Sequence, residues 1–301
     1  MKLFNMVKVD IYKILKSYIF WIAVLTVFIL CFTATLYTDE TNKKYTIINV
    51  LLNFNRDTIL QNIDYSAQRV MILGKTSKIF MFITIVTGFP FISVFCDERK
   101  SKNMRMIIYR SGKARYYISK LISAIVSGGL VVTLGYIIFC IAVSFLFPSI
   151  NEFPLNMQKN FNEVITYYGK HEFTFLYYKI GSIAIIFSSI IEMFIYGAFA
   201  VILTFIFSSF ITNKYLLLCI PFTLKYIFDM WINKLQLEIW AKNMEGGVIQ
   251  KFIVNNCSLE MLMNIFSTNK VIIYIISYII ISIIAEIVFA TIMNRRIDYG
   301  E

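Results

Sequence analysis

Apolar residues in this chain fall into six long runs, which are separated by clusters of polar and charged residues. An α-helix rises about 1.5 Å per residue and the hydrocarbon core of a bilayer is about 30 Å thick, so a run of roughly 20 residues can cross a membrane once. The pattern predicts an all-α integral membrane protein with a single transmembrane domain over residues 1–301. Its six transmembrane helices are expected at about residues 18–37, 79–96, 118–147, 180–212, 215–231 and 271–293.

The fourth and fifth runs need separate decisions. As one helix, the fourth run would reach about 51 Å, whereas two crossings and a turn would need at least about 60 Å. We therefore predict one long helix that tilts, breaks or projects from the bilayer. The fifth run contains Lys225 and Asp229, which are four residues apart on a helix and can neutralise each other. Pro221 is expected to kink or break this helix.

The segment before the first run has the period of an amphipathic helix. At 100° per residue, one arc holds the apolar residues Leu3, Phe4, Val7, Ile11, Ile14 and Leu15. The opposite arc holds the polar residues Lys2, Asn5, Lys8, Asp10, Lys13 and Lys16. A basic amphipathic helix that leads into a span is expected to lie in the membrane surface, either with a further role or as a simple topogenic anchor.

Lysine and arginine are distributed unevenly among the connections, and this distribution orients the chain. The chain has 29 Lys and Arg against 18 Asp and Glu, a net charge of +11. With a cytoplasmic N-terminus, the inner segments hold 15 basic and 5 acidic residues, whereas the longer outer segments hold 13 and 10. Both termini are therefore expected in the cytoplasm. The basic excess is typical of membrane topology rather than of nucleic-acid binding.

The connection after the second run, residues 97–120, is the most distinctive one because it holds eight basic residues around a short apolar core. The core consists of Met104, Met106, Ile107 and Ile108. A break at Ser111 and Gly112 precedes a second helical start that continues into the third run. A loop that only sets topology needs charge but no apolar core, so we expect this connection to dock on a cytoplasmic partner.

The order of these segments resembles that of type 2 ATP-binding-cassette permeases over nearly the whole chain. In that family an acidic residue ends the second span, a short apolar helix and a tight turn follow, and an Arg and a Lys lead into the third span. The matching residues here are Glu98, Ile107, Ile108, Ser111, Gly112, Arg115 and Lys120. The chain departs from the family at Asn103, where a Gly is usual, and at Gly112, where a Pro is usual.

The resemblance implies a permease in a bacterial cytoplasmic membrane that pairs with a second copy or a paralogue. Such permeases bind two cytoplasmic ATPase subunits, contact membrane lipid, and export amphiphiles such as peptides, antibiotics, lipids or polysaccharides. A shortened fifth span with re-entrant outer segments is also implied. The resemblance also implies a coupling helix over residues 104–115. The implied ATPase-coupling residues are Glu98, Arg105, Ile107, Ile108, Arg110 and Arg115, with the two isoleucines in a groove of the ATPase and the arginines around its rim.

No segment predicts ATP hydrolysis by the chain itself. Residues 74–76, Gly-Lys-Thr, resemble the end of a phosphate loop, but the first glycine of that motif would fall at Arg69. Residues 127–129, Ser-Gly-Gly, echo an ATPase signature within an apolar run, where Ala124 and Gly128 instead favour close helix packing. The chain is therefore not expected to be an enzyme or to bind a cofactor, and a partner subunit is expected to bind ATP.

The sequence offers little other chemistry. The single histidine, His171, has no partner at metal-ligand spacing, and no HExxH or GxSxG pattern occurs, so no metal site or catalytic residue is predicted. A membrane-embedded enzyme would need convergent polar groups at one depth. Apart from Lys120 at the start of the third span, the only charged residues inside the predicted spans are Glu192, Glu286, Lys225 and Asp229.

The two intramembrane glutamates have different expected roles, because a carboxylate in a span must be neutralised, paired or hydrated. Glu192 lies about 18 Å along its helix. It either contacts cationic substrate or gates the path in the interior of a dimer, or it is a protonated or hydrogen-bonded packing residue. Glu286 lies two turns before Asn294 and is expected to reach Arg295 or Arg296 at the surface as an anchor.

The sequence as a whole predicts the permease subunit of an ATP-driven exporter. An amphiphilic peptide, an antimicrobial compound or a lipid-like molecule is the expected substrate. The alternative is a non-transporting membrane sensor or scaffold that recruits a cytoplasmic ATPase. ATP-dependent movement of substrate in liposomes separates the two.

Overall fold

The computed structural model describes residues 3–38, 44–75, 79–101, 103–158, 182–241 and 271–298. The helices in these ranges are α1 (Leu3–Lys16), α2 (Tyr18–Cys31), α3 (Ile47–Asn53), α4 (Arg56–Ile59), α5 (Ala67–Gly74), α6 (Ile79–Lys100), α7 (Asn103–Ser111), α8 (Lys113–Leu146), α9 (Ser182–Ser208), α10 (Lys214–Ala241) and α11 (Val271–Asp298). Strands β1 (Thr35–Thr38) and β2 (Lys44–Thr46) form an antiparallel hairpin.

Five helices, α6, α8, α9, α10 and α11, are long and apolar enough to cross a membrane. The pair α1 and α2 makes a sixth span if the two helices, which are bent by 67° relative to each other, are counted together. The described residues are mainly helical, as predicted, with five or six helices that could span a membrane, and the hairpin of β1 and β2 departs from the all-α prediction.

The first predicted span, residues 18–37, extends too far. Helix α2 ends at Cys31 and has 14 residues, which is about 21 Å and less than the hydrocarbon thickness. The next residues form β1 instead, because β2 lies close enough to pair with it. At its other end α2 begins after Ser17, whose side-chain oxygen accepts a hydrogen bond from the backbone nitrogen of Ile19 at 3.3 Å. This cap fixes the bend between α1 and α2.

The expected break at Pro221 is wrong. Helix α10 continues through this residue to Ala241, ten residues beyond the predicted end of the fifth span. A proline costs one backbone hydrogen bond, but packing can hold the helix together. Here the rings of Phe82 and Phe222 stack at 5.8 Å and join α10 to α6 beside the proline. Residues 242–270, where re-entrant segments were implied, lie outside the described residues. The fourth run contains one continuous helix, α9, as predicted.

Helix α8 lies at the centre of the bundle and packs on α1, α2, α6, α9 and α11. Its glycines allow these close approaches: Gly128 faces Gly197 of α9, and Gly135 faces Val27 of α2. The packing interpretation of Ala124 and Gly128 is confirmed, since Ala124 is fully buried. Helices α10 and α11 lie at the periphery, where only 22% and 11% of their apolar stretches are buried within the chain. Their outward faces are available to lipid or to another subunit.

The two ends of the bundle differ in construction. The end that carries α1, α7 and the start of α8 is called the α7 end below, and the end that carries β1 and β2 is called the hairpin end. At the hairpin end the long connection between α2 and α6 is folded against the segment that follows α8. The backbone nitrogen of Ala67 donates to the carbonyl of Pro148 at 3.0 Å, and Arg56 forms an ion pair with Glu152 at 2.8 Å.

Candidate functional site

Helix α7 is set off from α8 by a tight turn at the α7 end. Gly112 has φ +86°, a conformation that favours glycine, and α8 begins at the next residue. The Ser111 hydroxyl donates to the carbonyl of Ile107 at 2.7 Å, so it satisfies a carbonyl in the last turn of α7. The break that was predicted at Ser111 and Gly112 is confirmed.

The apolar residues of α7 face in two directions. Met104 and Ile108 are one turn apart and are buried against the chain itself, with 6% and 7% exposure. Met106 and Tyr109 point outward, with 68% and 93% exposure. Ile107 is half-buried and packs against the core. The expectation that Ile107 and Ile108 are presented to a partner is therefore wrong for Ile108 and only partly possible for Ile107.

Two arginines of α7 flank the exposed apolar pair, and a third lies at the start of α8. Arg105, Arg110 and Arg115 are all exposed. On the helix, Arg105 precedes Tyr109 by four residues and Arg110 follows Met106 by four, so each guanidinium group lies beside one apolar side chain. The exposed face of α7, defined here by Arg105, Met106, Tyr109 and Arg110, is therefore an apolar patch with a basic rim.

Glu98 does not belong to this surface. It is 7% exposed and takes part in a buried cluster with Asp10, Lys13 and Lys120. The Lys120 ammonium donates to Glu98 Oε2 at 2.6 Å and to Asp10 Oδ1 at 2.8 Å. The Lys13 ammonium donates to Glu98 Oε1 at 2.9 Å. Two carboxylates and two ammonium groups thus meet at one point, and we call these four residues the Lys120 cluster.

The Lys120 cluster is balanced in charge and closely hydrogen-bonded. Ser119 donates to the second oxygen of Asp10 at 2.9 Å, and the Lys120 ammonium lies 5.2 Å from the ring centroid of Tyr116. Partial burial lowers the pKa of Lys13, but the hydrogen bond and the charge of Glu98 raise it by more, so its pKa lies above the ordinary value. Such pairing is what allows charges to be buried at the junction of helices.

The cluster joins three helices, because Asp10 and Lys13 lie on α1, Glu98 on α6 and Lys120 on α8. The helical period had placed Asp10 on the solvent-facing polar arc of α1, and this is wrong, since Asp10 is 7% exposed. The residues buried on α1 are Met6, Asp10 and Ile14, which are spaced by four. A single acid on an otherwise basic helix was the only local signal of its inward position.

A second buried ion pair lies toward the hairpin end. The Lys75 ammonium donates to Glu192 Oε2 at 2.8 Å, and these residues are 9% and 2% exposed. Lys75 directly follows α5, which packs against both α8 and α9. The Tyr136 hydroxyl donates to the carbonyl of Met71 at 2.9 Å and helps to hold α5 there. The structure thus brings together Glu192 and a lysine that the sequence had placed in an outer connection.

The remaining intramembrane charges have separate environments. Lys225 and Asp229 form the predicted ion pair within α10. Glu286 does not reach Arg295 or Arg296, because Arg296 lies ten residues further, about 15 Å along the helix. Arg296 donates instead to the carbonyl of Phe210 at 2.5 Å, at the end of α9. Among the residues that the structure describes, Glu286 Oε2 is buried without a hydrogen-bond partner.

Metal ligation finds no support within the described ranges, where no group of three His, Cys, Asp or Glu side chains could hold an ion. His171 lies outside these ranges.

Comparisons of the chain with protein-family models, with curated proteins and with solved structures found no match. Two features of the described residues point to function: the exposed face of α7 at one end of the bundle, and the Lys75–Glu192 pair in its other half.

Proposed function

We propose that the chain is the permease subunit of an ATP-driven exporter and that the exposed face of α7 binds a cytoplasmic ATPase. One observation carries this proposal: the most exposed apolar side chains of α7 point away from the bundle, while its other face is packed onto α6 and α8. Tyr and Met flanked by Arg are typical of the centre of a protein–protein interface. The partner that fits is a groove with an apolar floor and acidic edges.

The Lys120 cluster gives this surface a mechanical connection to the spans. It holds α1, α6 and α8 together, and α7 packs on two of these helices, α6 and α8. Movement of α7 against the bundle would therefore be passed to three helices at once rather than absorbed at a flexible loop. In the proposed cycle, nucleotide-driven closure of two ATPase subunits moves α7 and tilts these helices, which changes access to a path between two permease subunits.

The proposal includes a second permease copy or a paralogue and an amphiphilic substrate, such as a peptide, an antimicrobial compound or a lipid-like molecule. The peripheral position of α10 and α11 supports a second subunit, since their wide apolar faces have room for both protein and lipid. Export from the cytoplasm or inner leaflet places the α7 end in the cytoplasm. ATP chemistry belongs to the partner in this proposal.

Binding to an ATPase encoded beside this chain tests the proposal. The purified chain and the tagged ATPase are mixed in detergent and the dissociation constant is measured. The double variant Met106→Ser/Tyr109→Ser should bind at least about tenfold more weakly, because it removes the apolar centre of the interface. Tyr215→Ser is the matched control, since Tyr215 is 80% exposed at the same end of the bundle but lies on α10.

Equal binding by the wild type and the Met106/Tyr109 variant would contradict the assignment of α7. Reconstitution of the complex in liposomes then separates an exporter from a scaffold that only recruits the ATPase. Movement of an amphiphilic substrate that depends on ATP is expected. ATPase binding without such movement would overturn transport and favour the scaffold.

A further inference from the structure

The Lys75–Glu192 pair differs from the Lys120 cluster in the element that supplies its lysine. In the Lys120 cluster every charge is carried by α1, α6 or α8, which are fixed by extensive packing. Glu192 likewise belongs to a membrane-length helix, α9. Lys75, in contrast, follows the eight-residue helix α5, which enters the bundle from the hairpin end. The ammonium group at Glu192 is therefore delivered by a short segment and not by a spanning helix.

The Lys75–Glu192 pair lies deep within the bundle and is not a surface contact. Glu192 lies about 24 Å along α9 from Ser208 at the α7 end, and Tyr136 lies about 24 Å along α8 from Lys120. Both positions fall in the hairpin half of the bundle. A carboxylate at such a position is costly unless a cation accompanies it. Lys75 supplies such a cation at 2.8 Å, and a ligand that displaced it would have to bring an ammonium group of its own.

We propose that Glu192 is a binding site for an alkylammonium group and that Lys75 occupies it until a cationic amphiphile takes its place. Lys75 itself shows what fits, since its side chain is an ammonium group on a four-carbon chain. This proposal rests on the proposed export function in one respect: it takes the exported amphiphile to be the natural ligand of Glu192. It narrows the substrate class to amphiphiles that carry a primary ammonium group.

The neighbouring side chains suit such a ligand. Ser189 is fully buried one turn before Glu192 and offers a second oxygen acceptor on the same side of α9. Phe139 supplies apolar surface near the pair, since it is fully buried and its ring lies directly against Gly74, the residue before Lys75. The carboxylate and the hydroxyl suit the ammonium group of an alkylammonium ion, and the apolar side chain of Phe139 suits its alkyl chain.

A binding experiment without ATP or ATPase tests the site directly. The purified chain is placed in phosphatidylcholine nanodiscs and titrated with dansylcadaverine, a fluorescent primary ammonium on a five-carbon chain. Its neutral control is N-pentyl dansylamide. Lys75→Ala removes the resident ammonium and should raise the affinity for dansylcadaverine at least about tenfold. Lys75→Ala/Glu192→Gln should lose that gain, and the neutral probe should bind equally to all variants.

The matched control is Lys225→Ala, which removes a lysine from a different buried ion pair. It should leave the affinity for dansylcadaverine unchanged. The proposal is overturned if Lys75→Ala binds the cationic probe no better than the wild type does, or if the neutral probe gains as much. Because no ATPase is present, failure here leaves the proposed export function standing, and loss of ATPase binding by the α7 variant would leave this site standing.

If Lys75→Ala does not fold without a ligand, the yield of folded protein is measured in place of the probe affinity. Dansylcadaverine added during purification should restore a monodisperse protein, whereas N-pentyl dansylamide should not. Absence of recovery, or equal recovery with both compounds, would overturn the proposal. Nanodiscs that contain phosphatidylethanolamine test a lipid as the source of the ammonium group. Unchanged probe affinity is expected there, and a tenfold loss would assign the site to a lipid headgroup instead of an exported amphiphile.

Discussion

Gly128 of α8 and Gly197 of α9 lie backbone to backbone at the centre of the bundle. A Cβ atom added to Gly128 would be 2.8 Å from the carbonyl oxygen of Gly197, and one added to Gly197 would be 2.5 Å from that of Gly128. Both distances are too short for a real Cβ contact. The two helices therefore depend on the absence of side chains at this crossing, as small residues allow in membrane helix pairs.

Larger residues at this crossing should separate α8 and α9. Gly197→Leu should destabilise the protein by about 1–3 kcal/mol or more, because backbone atoms cannot move aside as a flexible side chain would. Ser144→Leu is the control, since Ser144 is exposed near the end of α8. Thermal unfolding in detergent measures both variants. An unchanged midpoint for Gly197→Leu would mean that the helices do not cross at these glycines.

Removal of the central lysine should destabilise the α7 end. Lys120→Met leaves Asp10 and Glu98 with only the half-exposed Lys13, and breaking a buried ion network typically costs about 3–5 kcal/mol. Asp10→Asn/Lys120→Met should recover part of the loss, since Glu98 and Lys13 then remain as a balanced pair. Chemical unfolding in detergent provides the comparison, with Lys8→Met on the exposed side of α1 as control. A cost for Lys120→Met no greater than that of the control would contradict the buried network.

Replacement of Glu286 is expected to raise stability, in contrast to replacement of Lys120. A buried carboxylate oxygen without a hydrogen-bond partner within the described part of the chain costs free energy, so Glu286→Leu should stabilise the isolated subunit by about 1 kcal/mol or more. Glu286→Gln keeps the shape and serves as the comparison. Thermal midpoints of the purified subunit decide the matter. A lower midpoint for Glu286→Leu would show that the carboxylate has a stabilising partner in the protein.

Orientation can be measured with single cysteines at the two ends of the bundle. The chain has five cysteines, which are first replaced by alanine or serine. Leu52 and Tyr109 are 77% and 93% exposed at the hairpin end and the α7 end. The charge distribution predicts that an impermeant maleimide labels Leu52→Cys in intact cells, and Tyr109→Cys only after the cells are opened. Labelling of Tyr109→Cys from outside would make contact between α7 and a cytoplasmic ATPase impossible.

Features that depend on near neighbours in the chain were predictable from the sequence. The ion pair of Lys225 and Asp229 follows from one helical turn, and the break at Gly112 follows from the freedom of glycine. The long apolar runs likewise predicted α6, α8, α9 and α11 closely. The end of α2 was missed because the first run carries no charged residue up to Thr38, so its polarity did not reveal that Thr35–Thr38 pairs with β2.

Features that depend on distant residues were not predictable. Asp10 and Lys75 looked like solvent-exposed charges, because their partners lie 110 and 117 residues away at Lys120 and Glu192. The rotational position of α7 was also hidden, since the neighbouring apolar residues Met106, Ile107 and Ile108 give no single face on a helix. Packing on α6 and α8 selects which of them points inward.

The contact between Asp10 and Lys120 also constrains the order of folding events during translation. Ribosomes add roughly 5–20 residues per second, so Lys120, the partner of Asp10, is synthesised on the order of 5–20 s after α1. During that interval the Asp10 carboxylate must stay hydrated at the lipid surface. Helix α1 can therefore dock fully only after α8 begins to emerge from the ribosome, so its docking is a late event in biogenesis although α1 is translated first.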